Sequence, residues 1–336
     1  MDKLQVRDIC NISGVLNSGI SRRIKSLIDE SEILRNGQNR PLLSPEQIKL
    51  ILKQEIVVNP TGKGKVAMIG NCKGGVGKSS LTYMLSQSIS SLGLKVCVLD
   101  TDVQANLTSQ YIEPDDFKYV FCDLINERSR DIDEIITKIN PTLHIIPSSL
   151  KNSLIEKRLN VVASTVNYQK WFNRLCLDYL RENYDYVLID TPPSLTRLNQ
   201  IIGLNLLKTD FLIIPAIADR YSLDGISLFL SEIDEIRSSW EIEVDDYPKI
   251  LIKLNKCLDN QNSHKQYKKE IKMAFKGMVS PYGFNDSAKI REIVSNKHPL
   301  SNMREIQKDI GIFLRELGIL NKPRSRKNIL EKGAKL

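Results

Sequence analysis

The residues with the clearest chemistry form one octet, Lys-Gly-Gly-Val-Gly-Lys-Ser-Ser at positions 73–80. A glycine run that ends in Gly-Lys-Ser leaves backbone N–H groups unobstructed, so that they can wrap around a phosphate chain. Lys78 can then reach the β- and γ-phosphates, and the Ser79 hydroxyl can ligate Mg²⁺. The octet therefore predicts a nucleotide site. Its expected nucleotide-binding residues are Gly74, Gly75, Val76, Gly77, Lys78, Ser79 and Ser80.

The segments on either side of the octet support this interpretation. Lys65–Gly70 is a short apolar run that predicts a buried strand, and Ser80–Ser91 has the apolar periodicity of a helix. A strand, a glycine loop and a helix N-terminus in this order form an anion site, both by geometry and by the helix dipole. The alternative is a flexible glycine-rich turn with an incidental lysine, and the flanking pattern argues against it.

Two aspartate motifs follow at the ends of further apolar segments. Val96–Leu99 predicts a second buried strand that leads into Asp100-Thr-Asp102, and Val187–Ile189 leads into Asp190. Phosphoryl transfer needs mainly positioning and charge neutralisation from a protein. The lysines, the serine and these aspartates together could supply both. The alternative for Asp100 and Asp102 is that they only cap a helix.

The octet resembles the deviant Walker A box of the ParA/MinD ATPases, whose family form is Lys-Gly-Gly-x-Gly-Lys-Ser/Thr. Cys72 stands where the common phosphate-binding loop has its first glycine, and the additional lysine is Lys73. The resemblance implies that Lys73 crosses to the nucleotide of a second subunit, so that ATP is buried in a face-to-face homodimer. The alternative is that Lys73 is a solvated surface lysine.

The resemblance also implies roles for the later motifs and covers roughly residues 62–320. The segment after Leu99 is similar to the family's Asp-x-Asp-Pro-Gln, with Val103 in place of the proline. Asp102 would orient or activate the attacking water, and Asp100 would lie near the outer shell of the metal. Asp190 resembles the Walker B aspartate, and the Thr-Pro-Pro-Ser after it resembles the switch segment. The implied cofactors are ATP and Mg²⁺. The implied catalytic residues are Lys73, Lys78 and Asp102, and the implied metal-site residues are Ser79, Asp190 and Asp100.

Alternating apolar runs and helical stretches predict an α/β fold. The expected architecture is a mostly parallel sheet with helices on both faces, which is that of a P-loop NTPase. Ligands bind such sheets at the carboxyl ends of the strands, where the octet and both aspartate motifs would lie. The predicted ATPase domain spans residues 65–320. Its strands are expected at Val66–Gly70, Val96–Leu99, Leu143–Ile146, Val187–Ile189, Leu212–Ile214 and Ile250–Leu254.

Residues 1–55 predict a separate small domain, followed by a linker over residues 56–64. The pattern indicates a helix over Val6–Ile12, a second helix over Asn17–Asp29, an Asn-Gly hairpin, and a third helix that begins with a capping box at Ser44. This order resembles a winged helix-turn-helix module, whose second helix would enter the major groove. A trihelical dimerisation module is the alternative. The predicted DNA contacts here are Arg22, Arg23, Lys25, Arg35 and Arg40.

The charge of the chain is unevenly distributed. The 336 residues carry a net charge of +8, yet residues 261–336 hold 17 basic and 7 acidic side chains, or +10. A basic C-terminal part on an ATPase predicts a sequence-independent nucleic-acid surface. Lys289 and Arg291 resemble the DNA-contacting region of the family and are the predicted contacts, and residues 321–336 form a basic tail. DNA contact and a solvated helix face both remain open for Lys265, Lys268, Lys269 and Lys272.

The composition favours a cytoplasmic globular protein. Hydrophobic residues make up 41% of the chain, which suffices for a sizeable core, and no apolar run approaches the length of a membrane span. The first residues lack the apolar stretch of a signal peptide. Six scattered cysteines argue against a disulfide framework or a zinc site. Residues 327–336 are a weak candidate for the amphipathic membrane helix of the MinD branch, so no membrane partner is expected.

Together these features predict a ParA-type partition ATPase of the larger class, whose members carry an N-terminal helix-turn-helix. The resemblance implies that ATP and Mg²⁺ lock a homodimer that binds nonspecific DNA on the nucleoid, and that a ParB-like centromere-binding protein stimulates a slow ATPase. The N-terminal module would bind operator DNA and repress its own operon. Two alternatives stay open: a DNA-binding regulator with nucleotide as a conformational ligand, and a MinD-like membrane-associated positioning ATPase.

Overall fold

The computed structural model describes residues 3–126, 131–162, 168–194, 196–256, 262–284, 301, 304 and 306–321. The chain divides into two compact units. One consists of Met1–Val58, Ser91–Gly93 and Leu300–Leu336, and the other of Asn59–Ser90 and Leu94–Pro299. None of the helices within the described ranges has the length and apolar character that a membrane crossing requires.

The first unit begins with a short strand and two helices, continues through a hairpin and ends its N-terminal part with a third helix. Strands β1 and β2 both pair antiparallel with β3, which lies between them. Ser44 and Gln47 form the predicted capping box, with Gln47 N donating to Ser44 Oγ at 3.3 Å. The elements are β1 Leu4–Gln5, α1 Val6–Ser13, α2 Asn17–Leu27, β2 Leu34–Arg35, β3 Pro41–Leu43 and α3 Pro45–Ile51.

A helix from the far end of the chain completes this unit. Helix α12, Gln307–Glu316, packs on α1 so closely that a Cβ at Gly311 would lie 2.1 Å from the carbonyl oxygen of Ile12. Gln307 Nε2 also donates to Asp8 Oδ1 at 3.3 Å. The sequence placed this helix in the ATPase domain of residues 65–320, because a contact between segments some 300 residues apart leaves no local pattern.

The predicted linker also begins inside the first unit. Ile56 forms a β-bridge with Leu320, and Val57 N donates to the carbonyl oxygen of Ile319 at 2.9 Å. These contacts give the start of residues 56–64 a defined partner in the segment after α12, whereas the glycines and the proline further along predict a linker over the whole range.

The second unit is built on a seven-stranded sheet with the order β10-β9-β4-β8-β5-β7-β6. All neighbouring strands are parallel except β6, which pairs antiparallel with β7. The six predicted strands are confirmed. Strand β6 was not predicted, because its half-exposed residues form no apolar run. The strands are β4 Lys65–Ile69, β5 Val96–Asp100, β6 Thr137–Asn140, β7 Leu143–Ile146, β8 Tyr186–Asp190, β9 Phe211–Ile217 and β10 Lys249–Asn255.

Helices cover both faces of this sheet. Every residue of β5 and β8 is buried, which requires cover on each side and explains their continuous apolar runs. A π-helical turn, Asn173–Leu177, joins α7 to α8. The helices are α4 Lys78–Ser91, α5 Phe121–Asn126, α6 Leu154–Val162, α7 Tyr168–Phe172, α8 Asp178–Asn183, α9 Arg197–Leu204, α10 Arg220–Ser239 and α11 Asn262–Ala274.

A buried ion pair stabilises the amino end of the sheet. The Asp210 carboxylate, which directly precedes β9, accepts hydrogen bonds from both terminal nitrogens of Arg181 at 3.0 and 2.5 Å. It also accepts from the backbone nitrogens of Val66 at 2.8 Å and Leu207 at 2.7 Å. One carboxylate therefore connects α8, the start of β4 and the turn before β9.

His144 on β7 makes the stability of this unit depend on pH. Its Nδ1 lies 2.7 Å from the Tyr184 hydroxyl, and burial, with Lys138 and Lys95 nearby, lowers its pKa below the usual 6.5. The stability that it contributes is complete above that ordinary value and is lost as the pH falls through the lower folded-state pKa. We expect the wild type to lose stability relative to His144→Gln between about pH 7.5 and about pH 5.

Urea unfolding of the two proteins across this range measures the effect. Glutamine can still hydrogen-bond to the Tyr184 hydroxyl but does not titrate, and the variant shares every other titrating group with the wild type. A difference in the free energy of unfolding that stays constant with pH would contradict the prediction.

Candidate functional site

The loop between β4 and α4 has the backbone that a phosphate cradle requires. Gly75 and Gly77 have φ angles of 72° and 92°, which side-chain-bearing residues rarely adopt. A Cβ at Gly77 would also lie 3.1 Å from Asn255 Nδ2, whereas a Cβ at Gly74 or Gly75 would meet nothing within 4 Å. The loop therefore has open space on one side and a close neighbour on the other, and α4 begins directly after it at Lys78.

The loop curls around the ammonium group of Lys78. Its Nζ donates to the carbonyl oxygens of Asn71 and Lys73, each at 3.3 Å. Burial lowers the pKa of Lys78, and the nearby carboxylates of Asp190 and Asp102 act in the opposite direction. A buried ammonium beside a helix N-terminus is well placed to bind an anion, because the surrounding water that would screen its charge is displaced.

Strand pairing brings two of the predicted aspartates together. Asp100 at the end of β5 lies opposite Asp190 at the end of β8 in the register of the two strands. The Asp100 carboxylate accepts from Thr108 N at 2.9 Å, Thr108 Oγ1 at 2.7 Å and Asp102 N at 3.1 Å. Burial raises its pKa to about 6. Asp100 thus orients the segment that carries Asp102.

Asp190 has capacity left for a ligand. Its carboxylate is fully buried, and Oδ2 has no hydrogen-bond partner within the described part of the chain. Burial, and secondly the Asp100 carboxylate, raises its pKa well above the ordinary value, while Ser79 and Lys78 act to lower it. A buried carboxylate oxygen without a partner is costly unless a cation or a donor satisfies it.

The donor set fits Mg²⁺. Ser79 and Asp190 offer a hydroxyl and a carboxylate, and Mg²⁺ prefers oxygen ligands, taking one or two from the protein and the rest from phosphate and water. No group of three or more His, Cys, Asp and Glu side chains in the described ranges could hold a metal by itself. Asp100, whose oxygens already accept three hydrogen bonds, would support such a site from outside the direct ligands.

A cavity of about 590 Å³ lies against the loop, Lys78 and Ser79, and the buried carboxylates of Asp100 and Asp190 are not part of its lining. Asp102 lines it, and its Oδ1 accepts from Gln104 N at 3.0 Å, which fixes the carboxylate at the cavity wall. Several lining residues beyond the predicted set come from the segment after β5 and from the switch segment. The complete lining is Gly74, Gly75, Gly77, Lys78, Ser79, Ser80, Asp102, Gln104, Asn106, Ser109, Gln110, Pro193 and Lys256.

The end of β10 holds the loop in place, a role that none of the sequence motifs predicts. Asn255 Nδ2 donates to the carbonyl oxygen of Val76 at 3.0 Å, and Lys256 Nζ donates to that of Gly75 at 2.8 Å. These are polar residues at the end of a buried strand of a parallel sheet, where ligand sites form. Their position was a usable signal, but the pairing with the loop depends on the strand order.

Lys73 lies outside the cavity lining. Its ammonium forms an ion pair with Asp219, the N-cap residue of α10, and lies 5.8 Å from the ring centroid of Tyr221. Partial burial acts to raise the pKa of Asp219, but the hydrogen bonds from Lys73 and Ser222 prevail and lower it. Within one chain, therefore, Lys73 binds a carboxylate on a neighbouring loop and does not face the phosphate cradle.

The predicted DNA contacts of the N-terminal unit differ in their surroundings. Arg22, Lys25 and Arg40 are exposed. Arg35 is also exposed, but it pairs with Glu30. Arg23 differs from the prediction, because its guanidinium binds Glu55 at 2.6 and 2.9 Å and the Ile51 carbonyl at 2.8 Å. It therefore joins α2 to the end of α3. Lys289 and Arg291 lie outside the described residues.

A groove of about 690 Å³ runs along the same unit between α1, α2 and the hairpin. Basic, polar and apolar side chains line it, and the one acidic residue among them, Glu30, is paired with Arg35. Arg7 joins the predicted basic residues there. The charged lining residues are Arg7, Lys25, Glu30, Arg35 and Arg40.

Comparison with known proteins gives a family model and several similar proteins. A family model described as an AAA domain, AAA_31, matches residues 64–245. The sporulation initiation inhibitor protein Soj of Bacillus subtilis is 31% identical over 172 residues, which cover 51% of this chain and 65% of Soj. A ParA family protein of Chlamydia pneumoniae is 32% identical over 165 residues, which cover 48% of this chain and 62% of that protein.

The fold has solved counterparts. The structure of an ATP complex of a Cyanothece McdA variant aligns with a TM-score of 0.66 over 78% of this chain and 99% of McdA. At 19% identity this similarity is one of fold. The chain spans less than two thirds of the length of Soj and of the Chlamydia protein.

Proposed function

Because this chain belongs to the AAA_31 family of ParA-type P-loop ATPases, we propose that it couples ATP binding and hydrolysis to the capture and release of DNA. It is an ATPase, and its cofactors are ATP and Mg²⁺. Its family includes ATPases of partition and positioning systems. The observation that carries the proposal is the arrangement of two lysines around the nucleotide cavity: Lys78 lines it, and Lys73 lies just outside it, paired with Asp219.

The residues of the cavity divide the chemistry among them. The loop N–H groups and Lys78 bind the phosphates and neutralise charge that develops during transfer. Asp102 lies at the wall, where it can orient the attacking water and accept its proton. Ser79 and Asp190 would hold Mg²⁺, which would supply further charge neutralisation at the phosphates. The described residues include no arginine in the cavity lining, which agrees with a slow intrinsic rate.

The carboxyl edge of the sheet is the proposed dimer face. Exposed apolar side chains lie on the segments that follow β7 and β9: Leu150 is 76% exposed, Leu154 46% and Tyr221 73%. Lys73 lies on the same edge, next to Tyr221. A second copy that presents the same edge would bury these side chains and bring each Lys73 to the partner's cavity. Such a self-complementary contact is the usual form of a two-fold dimer.

The N-terminal unit is the proposed operator-binding module. Its two helices and hairpin have the order of a winged helix-turn-helix, and its basic groove suits a phosphate backbone. In this proposal Arg22, Lys25, Arg35 and Arg40 contact DNA, and Arg23 holds the module together. The unit would bind operator DNA and repress its own operon.

The nonspecific contacts and the partner complete the proposed cycle. Lys289 and Arg291, in the basic C-terminal part, would bind nonspecific DNA of the nucleoid when the dimer is closed. A ParB-like centromere-binding protein would then stimulate hydrolysis and release the dimer.

Binding to an arbitrary DNA duplex with ATP, with ADP and without nucleotide tests this proposal, with wild type compared to Lys73→Ala. We expect ATP alone to switch on binding and Lys73→Ala to lose the switch while still binding ATP. Lys63→Ala, at an exposed position before β4, is the matched control. Binding that ignores the nucleotide would contradict the proposal and favour a DNA-binding regulator. Binding to anionic vesicles in place of DNA would favour a membrane-positioning ATPase.

A further inference from the structure

Gln110 brings an unpartnered hydrogen-bond acceptor to the nucleotide cavity. Its side chain lines the cavity, and it is the last residue of a short 3₁₀ turn, Thr108–Gln110. The side-chain oxygen Oε1 is buried and has no hydrogen-bond partner among the residues that the structure describes. A buried carbonyl oxygen without a donor is costly, so such an atom indicates a donor that comes from outside the chain.

Two anchors hold together the ends of the segment between Asp102 and Gln110. The Asp100 carboxylate accepts from Asp102 N at 3.1 Å with one oxygen, and from Thr108 N and Oγ1 at 2.9 and 2.7 Å with the other. Ser148 repeats this connection, since its Oγ donates to the Asp102 carbonyl at 2.5 Å and its N donates to Thr108 Oγ1 at 2.9 Å. The segment therefore closes on itself, and Asp102 and Gln110 line the same cavity.

The residue after Gln110 fixes the other side of the turn. The Tyr111 hydroxyl forms a hydrogen bond with Ser86 Oγ on α4, and its ring lies 5.2 Å from that of Tyr83 between centroids. Tyr111 N donates to the Thr108 carbonyl at 2.9 Å. The backbone on both sides of Gln110 is thus held by contacts with other elements, which is what a side chain needs in order to position a small ligand.

We propose that Gln110 Oε1 accepts a hydrogen bond from the water that attacks the γ-phosphate, and orients this water together with Asp102. This inference deepens the proposed function and rests on the role proposed there for Asp102. The attacking water has two O–H groups, and both must point away from phosphorus so that a lone pair faces it. Asp102 accepts one of them, and the amide oxygen of Gln110, which has no carboxylate basicity, accepts the other.

The step that these two residues serve is an ordinary hydrolysis. The water oxygen forms a bond to the γ-phosphorus, and one water proton passes to the Asp102 carboxylate. The bond between the γ-phosphorus and the bridging oxygen breaks, and its electron pair leaves with ADP. Gln110 exchanges no proton, so it contributes orientation alone.

The surroundings of Gln110 argue for water over the sugar or the base of the nucleotide. Its turn is anchored on Asp100, which lies opposite Asp190, the proposed metal ligand, in the register of β5 and β8. The metal of such sites bridges the β- and γ-phosphates, so this is the end at which transfer occurs. Phosphate oxygens of ATP are acceptors, and the donor that Oε1 needs at this end is therefore a water.

Gln110→Met tests the assignment, because methionine has a similar length and no comparable acceptor. We expect the single-turnover rate of hydrolysis at saturating ATP and Mg²⁺ to fall by about 10²-fold, the usual effect of a misplaced reactant. ATP affinity, measured by fluorescence titration, stays unchanged. The temperature of unfolding without nucleotide does not fall, because Oε1 makes no hydrogen bond to the described residues that the substitution could remove.

Two further variants make the result specific. Gln87→Met replaces a partly buried glutamine of α4 outside the cavity lining, and it should keep the wild-type rate. A double-mutant cycle with Asp102→Asn then asks whether Asp102 and Gln110 act on one water. In that background the water is already misoriented, so Gln110→Met should cost much less than it does in the wild type. Independent, multiplying losses would contradict a shared water.

The outcomes separate this inference from the proposed function. A wild-type rate in Gln110→Met overturns the Gln110 assignment and leaves the ATP switch of DNA binding standing. Weaker ATP binding at an unchanged limiting rate overturns it in favour of a contact to the nucleotide or its metal, and a lower unfolding temperature overturns it in favour of a structural role. DNA binding that ignores nucleotide, with hydrolysis still slowed in Gln110→Met, overturns the coupling to DNA and supports the Gln110 assignment.

Discussion

Replacing Lys78 with alanine is expected to lower the rate of ATP turnover by about 10²- to 10³-fold, the usual loss when one preorganised charge-stabilising group is removed. Its ammonium is buried and lies among the carbonyls of Asn71 and Lys73, at the first residue of α4. Charge that develops on the phosphates is therefore stabilised by a group that needs no reorganisation. Steady-state phosphate release, measured with ATP and Mg²⁺, gives the rate.

Lys256→Ala is the matched control for this prediction. Lys256 lines the same cavity and carries the same charge, but its ammonium is not enclosed by the loop and donates to the Gly75 carbonyl. We expect a smaller loss, expressed mainly as weaker ATP binding because the loop is less well held. Equal losses of turnover in the two variants would contradict a special role for Lys78. Thermal unfolding of each variant checks that the comparison is made between folded proteins.

Replacing Asp210 with alanine is expected to destabilise the sheet unit by about 3–5 kcal/mol, the usual cost of removing one partner of a buried ion pair. The variant leaves the Arg181 guanidinium buried without its carboxylate, and the backbone N–H groups of Val66 and Leu207 lose their acceptor. Each unsatisfied buried donor adds to the loss. Urea unfolding, followed by circular dichroism, measures the change.

Two comparisons make this result specific. Lys208 and Asp246 form an exposed ion pair at 3.5 Å in the same unit, and Asp246→Ala should cost at most about 1 kcal/mol. The double variant Arg181→Leu with Asp210→Leu removes both buried charges and should be less destabilised than Asp210→Ala alone. A loss below about 1 kcal/mol for Asp210→Ala would show that the pair contributes little.

Much of the nucleotide site could be predicted from the sequence, because its parts are local. The octet 73–80 contains its own turn glycines, its lysine and the start of its helix, so its conformation depends on a few consecutive residues. Asp100 and Asp190 each end an apolar run, and parallel strands bring their carboxyl ends to one edge of a sheet whatever the exact strand order. The cavity then follows from the motifs, with Lys78 and Asp102 at its wall.

The tertiary structure decided which distant segments meet at that edge. The strand order is what lets Asn255 and Lys256 contact the phosphate-binding loop, about 180 residues earlier in the chain. The ion pair between Lys73 and Asp219, 146 residues apart, likewise depends on the neighbourhood of β4 and β9. No local propensity specifies either contact, because both arise from the packing of whole elements.

The same distinction holds in the N-terminal unit. Its helices, hairpin and capping box were visible in the sequence, since turn and cap residues act over three or four positions. The structural role of Arg23 was not visible in the sequence, because its partner Glu55 lies in a later segment. Helix α12 was assigned to the other domain for the same reason. Sequence alone determined the local elements and the chemistry of the phosphate loop, and the tertiary structure decided their partners, because remote contacts depend on burial and shape.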